Sequence, residues 1–510
     1  MRAGLRSAAL GALLLAVTVA VANVGAQAPA EITLRDPASP FVVFNVWIRS
    51  GSSADPKGKE GLASLTASLI ASGSTTQDAA ERIVEKQYPL AAGYAVSVDK
   101  EMTNVTGRVH RDNLTEYYAL FRNAVLSPAF AEADFTRVKA QRLNYLERAR
   151  RYARDEELSK QLLFWMAYEG TPFQHPEEGY VDSVRSITLD DVRGFYRAHY
   201  RRGNVTAGVG GGYPDGFPAT VRRDLDTLPD GPVPAPSAVS ARPATGLKVL
   251  LVEKETDASA ISFGYPISVG RGHADFVPLL VANSYLGEHR NPVGRLYQRI
   301  REARGMNYGN YSYIEAFPAG YATQLPRVNV ARRSQLFEVW IRPVSQTAPG
   351  TLHDRTMFAI RAARHEVQAL VDHGMTPAAV EASKQFLRDY VGTWGTTLAR
   401  RLGYAVDDAF YGIPAPGYLT SLRAAIDRVT PQQVNDAIRR HLRSDGLYLV
   451  VVTADAAAFK DKLLRSAPSP ITYNAEPAAE LRAEDAVIGS LPLTVRDADI
   501  TILPIDRVFQ

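Results

Sequence analysis

Residues 41–74 read FVVFNVWIRSGSSADPKGKEGLASLTASLIASGS, and this stretch decides the fold. Its first part, FVVFNVWIRSG, has the period-2 pattern of a β-strand. Its last part, GLASLTASLIASGS, begins at residue 61 and places apolar residues three or four positions apart, which predicts a helix with one apolar face. The opposite face of this helix carries Ser64, Ala67 and Ser68, which are small and unreactive.

The pattern around this stretch returns in the second part of the chain. The segments SITLDDVRGFYRAHYRRGNVTAGVGG and RVTPQQVNDAIRRHLRSDGLYLVVVTAD each predict a helix followed by a strand, the first helix running from about residue 189 to 201. Lys139 and Lys384 match in a second pair of segments, 245 positions apart. The matching residues of the first pair, 242 positions apart, are Thr188, Val192, Arg197 and His199 with Thr430, Val434, Arg439 and His441. We infer an internal duplication that gives two homologous α+β halves, each a sheet covered on one face by helices.

The most proline-rich stretch, LPDGPVPAPSAVSARPATG, separates the two halves. We therefore predict an N-terminal half over residues 29–227, a linker over 228–246 and a C-terminal half over 247–466. Residues 467–510 show little helical periodicity, and we assign them to a C-terminal extension.

The first 28 residues, MRAGLRSAALGALLLAVTVAVANVGAQA, have the order of a secretory signal: two arginines, an apolar run and small residues near the end. A single membrane anchor is the alternative, although the apolar run is short for a span. No later segment is apolar enough to cross a bilayer. The sequence thus predicts a mature protein without a membrane span, in the periplasm.

Composition excludes several kinds of site. The chain has 510 residues, 46% of them hydrophobic, and a net charge of only +4 with no block rich in lysine or arginine, which argues against a nucleic-acid partner. It has no cysteine, so disulfides, thiolate zinc sites and cysteine nucleophiles are excluded.

The duplication, the size of each half and the string VWIRSGSSADPKGKEGLASLTASLIASGS together resemble the insulinase/pitrilysin family of zinc peptidases, over about residues 31–466. The resemblance implies a clamshell of two peptidase-like halves with an internal chamber. It also implies an inverted zinc motif, H-x-x-E-H, on the helix at residues 61–74, where two histidines bind zinc and the glutamate acts as general base.

This chain departs from that motif at every chemically required position, because Ser64, Ala67 and Ser68 stand there. A serine hydroxyl offers no imidazole nitrogen, and alanine accepts no proton. We therefore expect no zinc cofactor and no catalytic residue on this helix. The resemblance places the third zinc ligand roughly 75 residues further on, where Glu147 is the best carboxylate candidate; a solvated glutamate among arginines is the alternative.

No two of the nine histidines lie three or four residues apart, so a replacement metal site would need a spatial cluster. His365 and Glu366 are an isolated pair on a predicted helix, and the equivalent positions of His199 and His441 suggest a shared structural role.

The second half keeps another family feature in GRLYQRIREARGMNYGNYSYIEAF. The resemblance implies that Arg301 and Tyr308 reach a substrate peptide across the chamber, with Gly305 ending the helix between them. Their chemistry suits this role, because a guanidinium and a phenol can both donate to peptide oxygens. The alternative is that Tyr308 packs in the sheet and Arg301 is a surface charge.

Three functions follow from the resemblance. The first is a catalytically silent, secreted subunit that binds peptide or unfolded polypeptide and forms a hetero-oligomer with a paralogue bearing the zinc motif. The second is an active zinc metalloendopeptidase with rearranged ligands. The third is a structural scaffold similar to the core proteins of respiratory complexes.

Overall fold

The computed structural model describes residues 30–236, 238–316, 325–473 and 476–510, so the secretory signal predicted for residues 1–28 lies outside the described residues. Two mixed sheets and the helices that cover them form the molecule, which confirms the α+β class. None of the helices in the described ranges is long and apolar enough to span a membrane.

The first sheet has five strands within the described residues, in the spatial order β1-β5-β2-β4-β3. Strand β1 runs parallel to β5, and the other neighbours are antiparallel. The strands are β1 (Glu31–Arg35), β2 (Phe41–Ile48), β3 (Gly93–Val98), β4 (Thr103–His110) and β5 (Val205–Gly211).

The second sheet has the order β11-β6-β10-β7-β9-β8 among the described residues. From β6 to β8 this order repeats that of the first sheet, including a parallel β6–β10 pair, and this repetition is the structural form of the predicted duplication. The strands are β6 (Lys248–Glu253), β7 (Ala258–Ile267), β8 (Asn310–Tyr313), β9 (Gln335–Ser345), β10 (Tyr448–Thr453) and β11 (Ile500–Pro504).

The helices follow the strands in the same duplicated pattern. Helix α4 continues into a π-helical turn at Tyr145–Arg150, and a second π-helical turn occupies Tyr297–Glu302. The α-helices are α1 (Leu62–Ser72), α2 (Ala80–Gln87), α3 (Leu114–Leu126), α4 (Glu132–Asn144), α5 (Asp155–Ala167), α6 (Val181–Ser186), α7 (Leu189–His199), α8 (Phe217–Leu225), α9 (Phe276–Gly287), α10 (Leu352–His373), α11 (Pro377–Tyr390), α12 (Leu398–Tyr411), α13 (Tyr418–Arg428), α14 (Pro431–His441), α15 (Ala456–Leu464) and α16 (Ala479–Ser490).

The apolar face predicted for residues 61–74 is the buried face of α1. Leu62, Leu65, Leu69 and Ile70 are each at most 3% exposed and pack with β2, α3 and α7 in the core of the first half. Burying such side chains provides about 1.5–3 kcal/mol each, so the periodicity seen in the sequence reports the packing that fixes this helix.

Each sheet is also covered on its second face, by a helix that comes from the other half of the chain. Helix α5 packs on β7, β9 and β10, where Leu162 and Tyr168 join Val450 in one buried cluster. Helix α12 packs in return on β1, β2 and β5, with Phe410 against Trp47 at a ring distance of 6.3 Å. Because of this exchange both faces of β2 are buried, whereas the sequence predicted helices on one face only.

The segment between the sheets, residues 229–236 and 238–247, contains neither helix nor strand as far as it is described. The domain boundaries given above stay a prediction. The C-terminal extension is more ordered than its composition indicated, because α16 forms within it and β11 adds a parallel strand to β6.

Arg361 of α10 ties this extension to the second half. Its guanidinium is 1% exposed and donates to the carbonyl oxygens of Leu491, Ala467 and Gly489 at 2.7–2.9 Å. Buried carbonyl groups need such donors, so the extension is an integral part of the second half.

The duplication supplies a matched pair of helix caps for a stability prediction. Thr188 accepts from the Asp191 N–H and Thr430 from the Gln433 N–H, both at 3.2 Å, and each partner side chain accepts from the threonine N–H in return. Replacing either threonine with alanine should lower the free energy of unfolding by about 1 kcal/mol. Denaturant unfolding of both variants tests this, with Thr→Ser at the same positions as the control that should cost little.

Candidate functional site

Helix α1 is held at its N-terminus by Asp55. The N–H groups of Gly61 and Ala63 donate to the two carboxylate oxygens of Asp55, each at 2.7 Å. Burial raises the pKa of Asp55 to about 8, although the two backbone hydrogen bonds act in the opposite direction. The carboxylate thus satisfies amide groups that a helix end otherwise leaves without partners.

The polar face of α1 is occupied by a guanidinium. Arg142 of α4 donates to Ser64 Oγ at 2.8 Å and to Ser68 Oγ at 3.1 Å, and Ser68 Oγ donates to the Ser64 carbonyl at 2.8 Å. Ala67 is fully buried and Ser64 is 8% exposed. Burial lowers the pKa of Arg142, but arginine remains protonated at physiological pH. A fixed positive charge therefore lies against both serines.

These residues do not fit a zinc ion. Zinc is bound by imidazole, thiolate or carboxylate donors, whereas here two hydroxyls accept from a cation that has no free lone pair. Arg142 follows Ser68 by 74 residues, close to the spacing at which the resemblance placed a third ligand. Glu147 instead pairs with Arg185, as in the alternative of a glutamate among arginines, and Arg142 is the residue that hydrogen-bonds to both serines.

Two spatial clusters of histidine and carboxylate occur elsewhere in the described residues, namely His273, Asp275 and His441, and His365, Glu366 and Glu484. Both include a carboxylate that arginines already bind: Arg440 donates to Asp275 at 2.7 Å, and Arg295 to Glu366 at 2.8 Å. Neither cluster includes a residue of the Ser64–Ser68 face.

A cavity of about 590 Å³ lies between the two halves. The first half contributes Asp99, Lys100 and Glu177 to its wall, and the second half contributes Arg332 and Glu338. We refer to this cavity as the chamber; Ser64, Ala67 and Ser68 are not among its described lining residues.

Buried ion pairs close one side of this chamber. Asp99 pairs with Arg332 through both oxygens, with one N···O distance of 2.8 Å, and Lys100 Nζ lies 3.1 Å from Glu177 Oε1. Burial by itself would raise the pKa of Glu177, but Lys100 and Arg332 lower it to about 2. The Asp99–Arg332 pair links the β3–β4 turn of the first half to the segment before β9 in the second half, whereas Lys100 and Glu177 both belong to the first half.

Arg301 and Tyr308 lie together but outside the chamber wall. Arg301 donates to the Tyr308 carbonyl at 3.1 Å, and its guanidinium lies 6.0 Å from the Tyr308 ring centre. Tyr308 is 75% exposed, and neither residue is among the described residues that line the chamber. Gly305 has a φ of 58° and follows the π-helical turn, as expected for a helix end. Their role at a substrate stays a prediction.

A second cavity, of about 460 Å³, has His199 and Ser50 side by side in its wall. Ser50 Oγ lies 3.0 Å from His199 Nδ1, and both side chains are buried. Burial lowers the pKa of His199 to about 4, so the folded protein holds this histidine neutral. The equivalent His441 instead pairs with Asp275 at 2.7 Å, so the duplicated histidines have different partners.

His199 predicts a loss of stability in acid. His199 binds a proton near pH 6.5 in the unfolded chain but only near pH 4 in the folded chain. The stability that comes from keeping this histidine neutral is therefore fully present above pH 6.5 and falls as the pH drops towards 4. Between pH 6.5 and 5 the loss should be about 2 kcal/mol. We expect the melting temperature of His199→Gln to fall less over this range than that of the native chain, and exposed His373→Gln to behave as the native chain does.

Comparisons with known proteins identify the family and the fold. A family model described as insulinase (peptidase family M16) matches residues 32–176, and one described as peptidase M16 inactive domain matches residues 186–387. The solved structure of a peptidase M16 inactive domain from Pseudomonas fluorescens superposes with a TM-score of 0.72 at 20% identity, over 84% of this chain and 96% of that one.

Two curated relatives have informative names. The uncharacterized zinc protease YmxG of Bacillus subtilis is 24% identical over 279 residues, or 54% of this chain and 65% of the relative. Mitochondrial-processing peptidase subunit beta of Caenorhabditis elegans is 22% identical over 416 residues, or 78% of this chain and 82% of the relative. The alignments with bacterial zinc proteases span less than two thirds of those relatives.

Proposed function

We propose that this chain, which belongs to the insulinase (peptidase M16) family, is a catalytically silent member that completes the chamber of a zinc-bearing paralogue. The observation that carries the proposal is the Arg142 guanidinium, which hydrogen-bonds both serines where the family's zinc ligands would stand. A permanent cation at that position opposes a metal cation, and Ala67 provides no base to activate water.

The position of Arg301 and Tyr308 supports a role towards a partner chain. Residues that served only this chain's own chamber would be expected in its wall, whereas this pair lies elsewhere and Tyr308 is 75% exposed. An exposed phenol and guanidinium suit contact with a peptide held by another subunit. One relative is itself named as a subunit of a processing peptidase, which is consistent with a heteromer.

We further propose that the protein acts in the periplasm and handles peptides or unfolded polypeptides. The arginines and apolar run of residues 1–28 support export, since they have the order of a secretory signal. The many charged and amide side chains that line the chamber support a ligand with polar groups.

The first test is co-purification with a paralogue that carries an intact H-x-x-E-H motif, followed by peptide cleavage with and without this chain. We expect a heteromer and a higher cleavage rate than either chain gives alone. Elemental analysis of this chain alone should find no stoichiometric zinc. Homomers only and an unchanged rate would contradict the proposal, and stoichiometric zinc with chelator-sensitive cleavage would favour an active peptidase with rearranged ligands.

The exposed pair provides a sharper test. Arg301→Ala and Tyr308→Ala should each lower the stimulated kcat/KM about tenfold, because each removes a donor to a peptide oxygen. Arg423→Ala and Tyr88→Ala are matched controls, since both residues are exposed and lie elsewhere. Stimulation that survives both test substitutions would indicate a scaffold, in which the pair has no contact with substrate.

A further inference from the structure

We propose that the chamber between the two halves binds a protonated primary amine. The inference rests on the chamber wall and not on the silent-subunit proposal. The cavity volume of about 590 Å³ is in the range of small-molecule sites, which is about 300–1,000 Å³. Its wall combines helix α5 of the first half with strands β8 and β9 of the second.

The wall contains buried oxygen atoms that have no hydrogen-bond partner. They are the Oε1 atoms of Glu157, Gln161, Gln335 and Glu338, and all four residues line this chamber. Buried polar atoms in folded proteins nearly always have partners. Among the described lining residues, the unpartnered buried side-chain atoms are all oxygens, so the missing group is a hydrogen-bond donor.

The orientation of Gln335 is fixed by its neighbours, which makes its free oxygen informative. Gln335 is 2% exposed, and its Nε2 donates to Tyr411 Oη at 3.1 Å. The hydroxyl hydrogen of Tyr411 is used in a hydrogen bond to the Arg332 carbonyl, so Tyr411 Oη can only accept from Gln335. A flipped Gln335 amide, with its oxygen towards Tyr411, would find no donor there. Gln335 therefore leaves its Oε1 as a buried acceptor without a partner in the chamber wall.

The charges of the wall favour a cation as the donor. The other lining acids are engaged: Asp99 by Arg332, Glu177 by Lys100, Glu178 by Arg150 and Glu315 by Arg271. Among the described residues Glu338 forms no ion pair, while the ammonium of Lys160 lies 4.0 Å from Glu157. Two carboxylates thus share one nearby lysine, and burial raises the pKa of Glu338 to about 7 although Lys160 and Arg332 act in the opposite direction.

The wall already shows how it holds an ammonium group. Lys160 Nζ lies 4.6 Å from the ring centre of Trp340 and 5.2 Å from that of Tyr313, in cation–π geometry. A second ammonium would find Glu338 on β9, opposite α5 with Glu157 and Gln161. An ammonium brings three donors, which matches a set of acceptors. Divalent hard cations prefer six or more oxygens, and these carboxylates belong to neither cluster with metal-ligand spacing.

A primary amine can come from a lysine side chain of a peptide or from a free diamine. The probes are acetyl-Ala-Lys-Ala-amide, the same peptide with norleucine for lysine, and cadaverine, each titrated calorimetrically into the full mature chain. Norleucine keeps the aliphatic chain and removes the charge, so it isolates the ammonium. We expect the lysine peptide, cadaverine or both to bind, and the norleucine peptide not to bind; which amine binds identifies the source.

The variant test removes the acceptor charge and keeps its shape. Glu338→Gln should weaken amine binding about tenfold to a hundredfold, and Glu157→Gln should weaken it in the same direction. Glu480→Gln, in α16 and away from the chamber wall, should leave it unchanged. Melting temperature and far-ultraviolet circular dichroism establish that the variants fold. Absence of amine binding, equal binding of the norleucine peptide, or unchanged affinity in a folded Glu338→Gln would overturn the inference.

Discussion

Replacing Arg332 with alanine should lower the free energy of unfolding by about 3–5 kcal/mol, because it leaves Asp99 as a buried carboxylate without its cation. Asp99 is 3% exposed and Arg332 8% exposed, so the carboxylate is largely withdrawn from solvent in the folded protein. The substitution also removes a cation–π contact, because the Arg332 guanidinium lies 5.0 Å from the ring centre of Phe164. The measurement is the free energy of unfolding from denaturant titration, monitored by tryptophan fluorescence. Calorimetry provides the melting temperature as a second readout.

The matched controls distinguish a broken pair from a general loss of arginine. The double variant Asp99→Asn with Arg332→Met should be less destabilised than Arg332→Ala, because it removes both charges together. Exposed Arg423→Ala should change stability by less than about 0.5 kcal/mol. If Arg332→Ala cost no more than Arg423→Ala, the contact between the halves would not depend on this ion pair.

The local patterns of the sequence predicted the elements but not the way in which the halves meet. Helix α1 follows from the spacing of Leu62, Leu65 and Leu69, and the duplication follows from matched residues, since both are properties of adjacent or aligned positions. The exchange of α5 and α12 between the halves could not be predicted from the sequence, because the apolar face of a helix does not specify which sheet it packs on. The same is true of the Asp99–Arg332 pair, whose members are 233 residues apart.

The candidate site was half predictable for a similar reason. The sequence alone shows that Ser64, Ala67 and Ser68 cannot act as the zinc ligands and the general base of the family motif, because each residue type lacks the required group. The residue that fills the position of the third ligand does not follow, because the resemblance implies a carboxylate there and Arg142 has the opposite charge. Spacing alone would have pointed to Arg142, which lies 74 residues after Ser68. The unpartnered oxygens of the chamber come from α5 and β9 and require the tertiary structure.

Restoring the ligands should convert this helix into a zinc site only when Arg142 is also replaced. The triple variant Ser64→His, Ser68→His and Arg142→Glu provides two imidazoles and a carboxylate, a set found in zinc enzymes. The longer imidazoles compensate for the shorter reach of glutamate compared with arginine. We expect zinc content to rise from none to about one equivalent per chain by elemental analysis, with no peptide cleavage, because Ala67 still provides no general base.

The decisive comparison is the double variant Ser64→His with Ser68→His, which keeps Arg142. Two histidines would then face a guanidinium that already lies within hydrogen-bond distance of both positions, and its charge repels the ion. We expect this variant to bind little or no zinc while it remains folded. Equal zinc content in the double and triple variants would show that Arg142 does not block zinc binding at this face. A clear difference would make Arg142 the residue that commits this chain to a role without zinc.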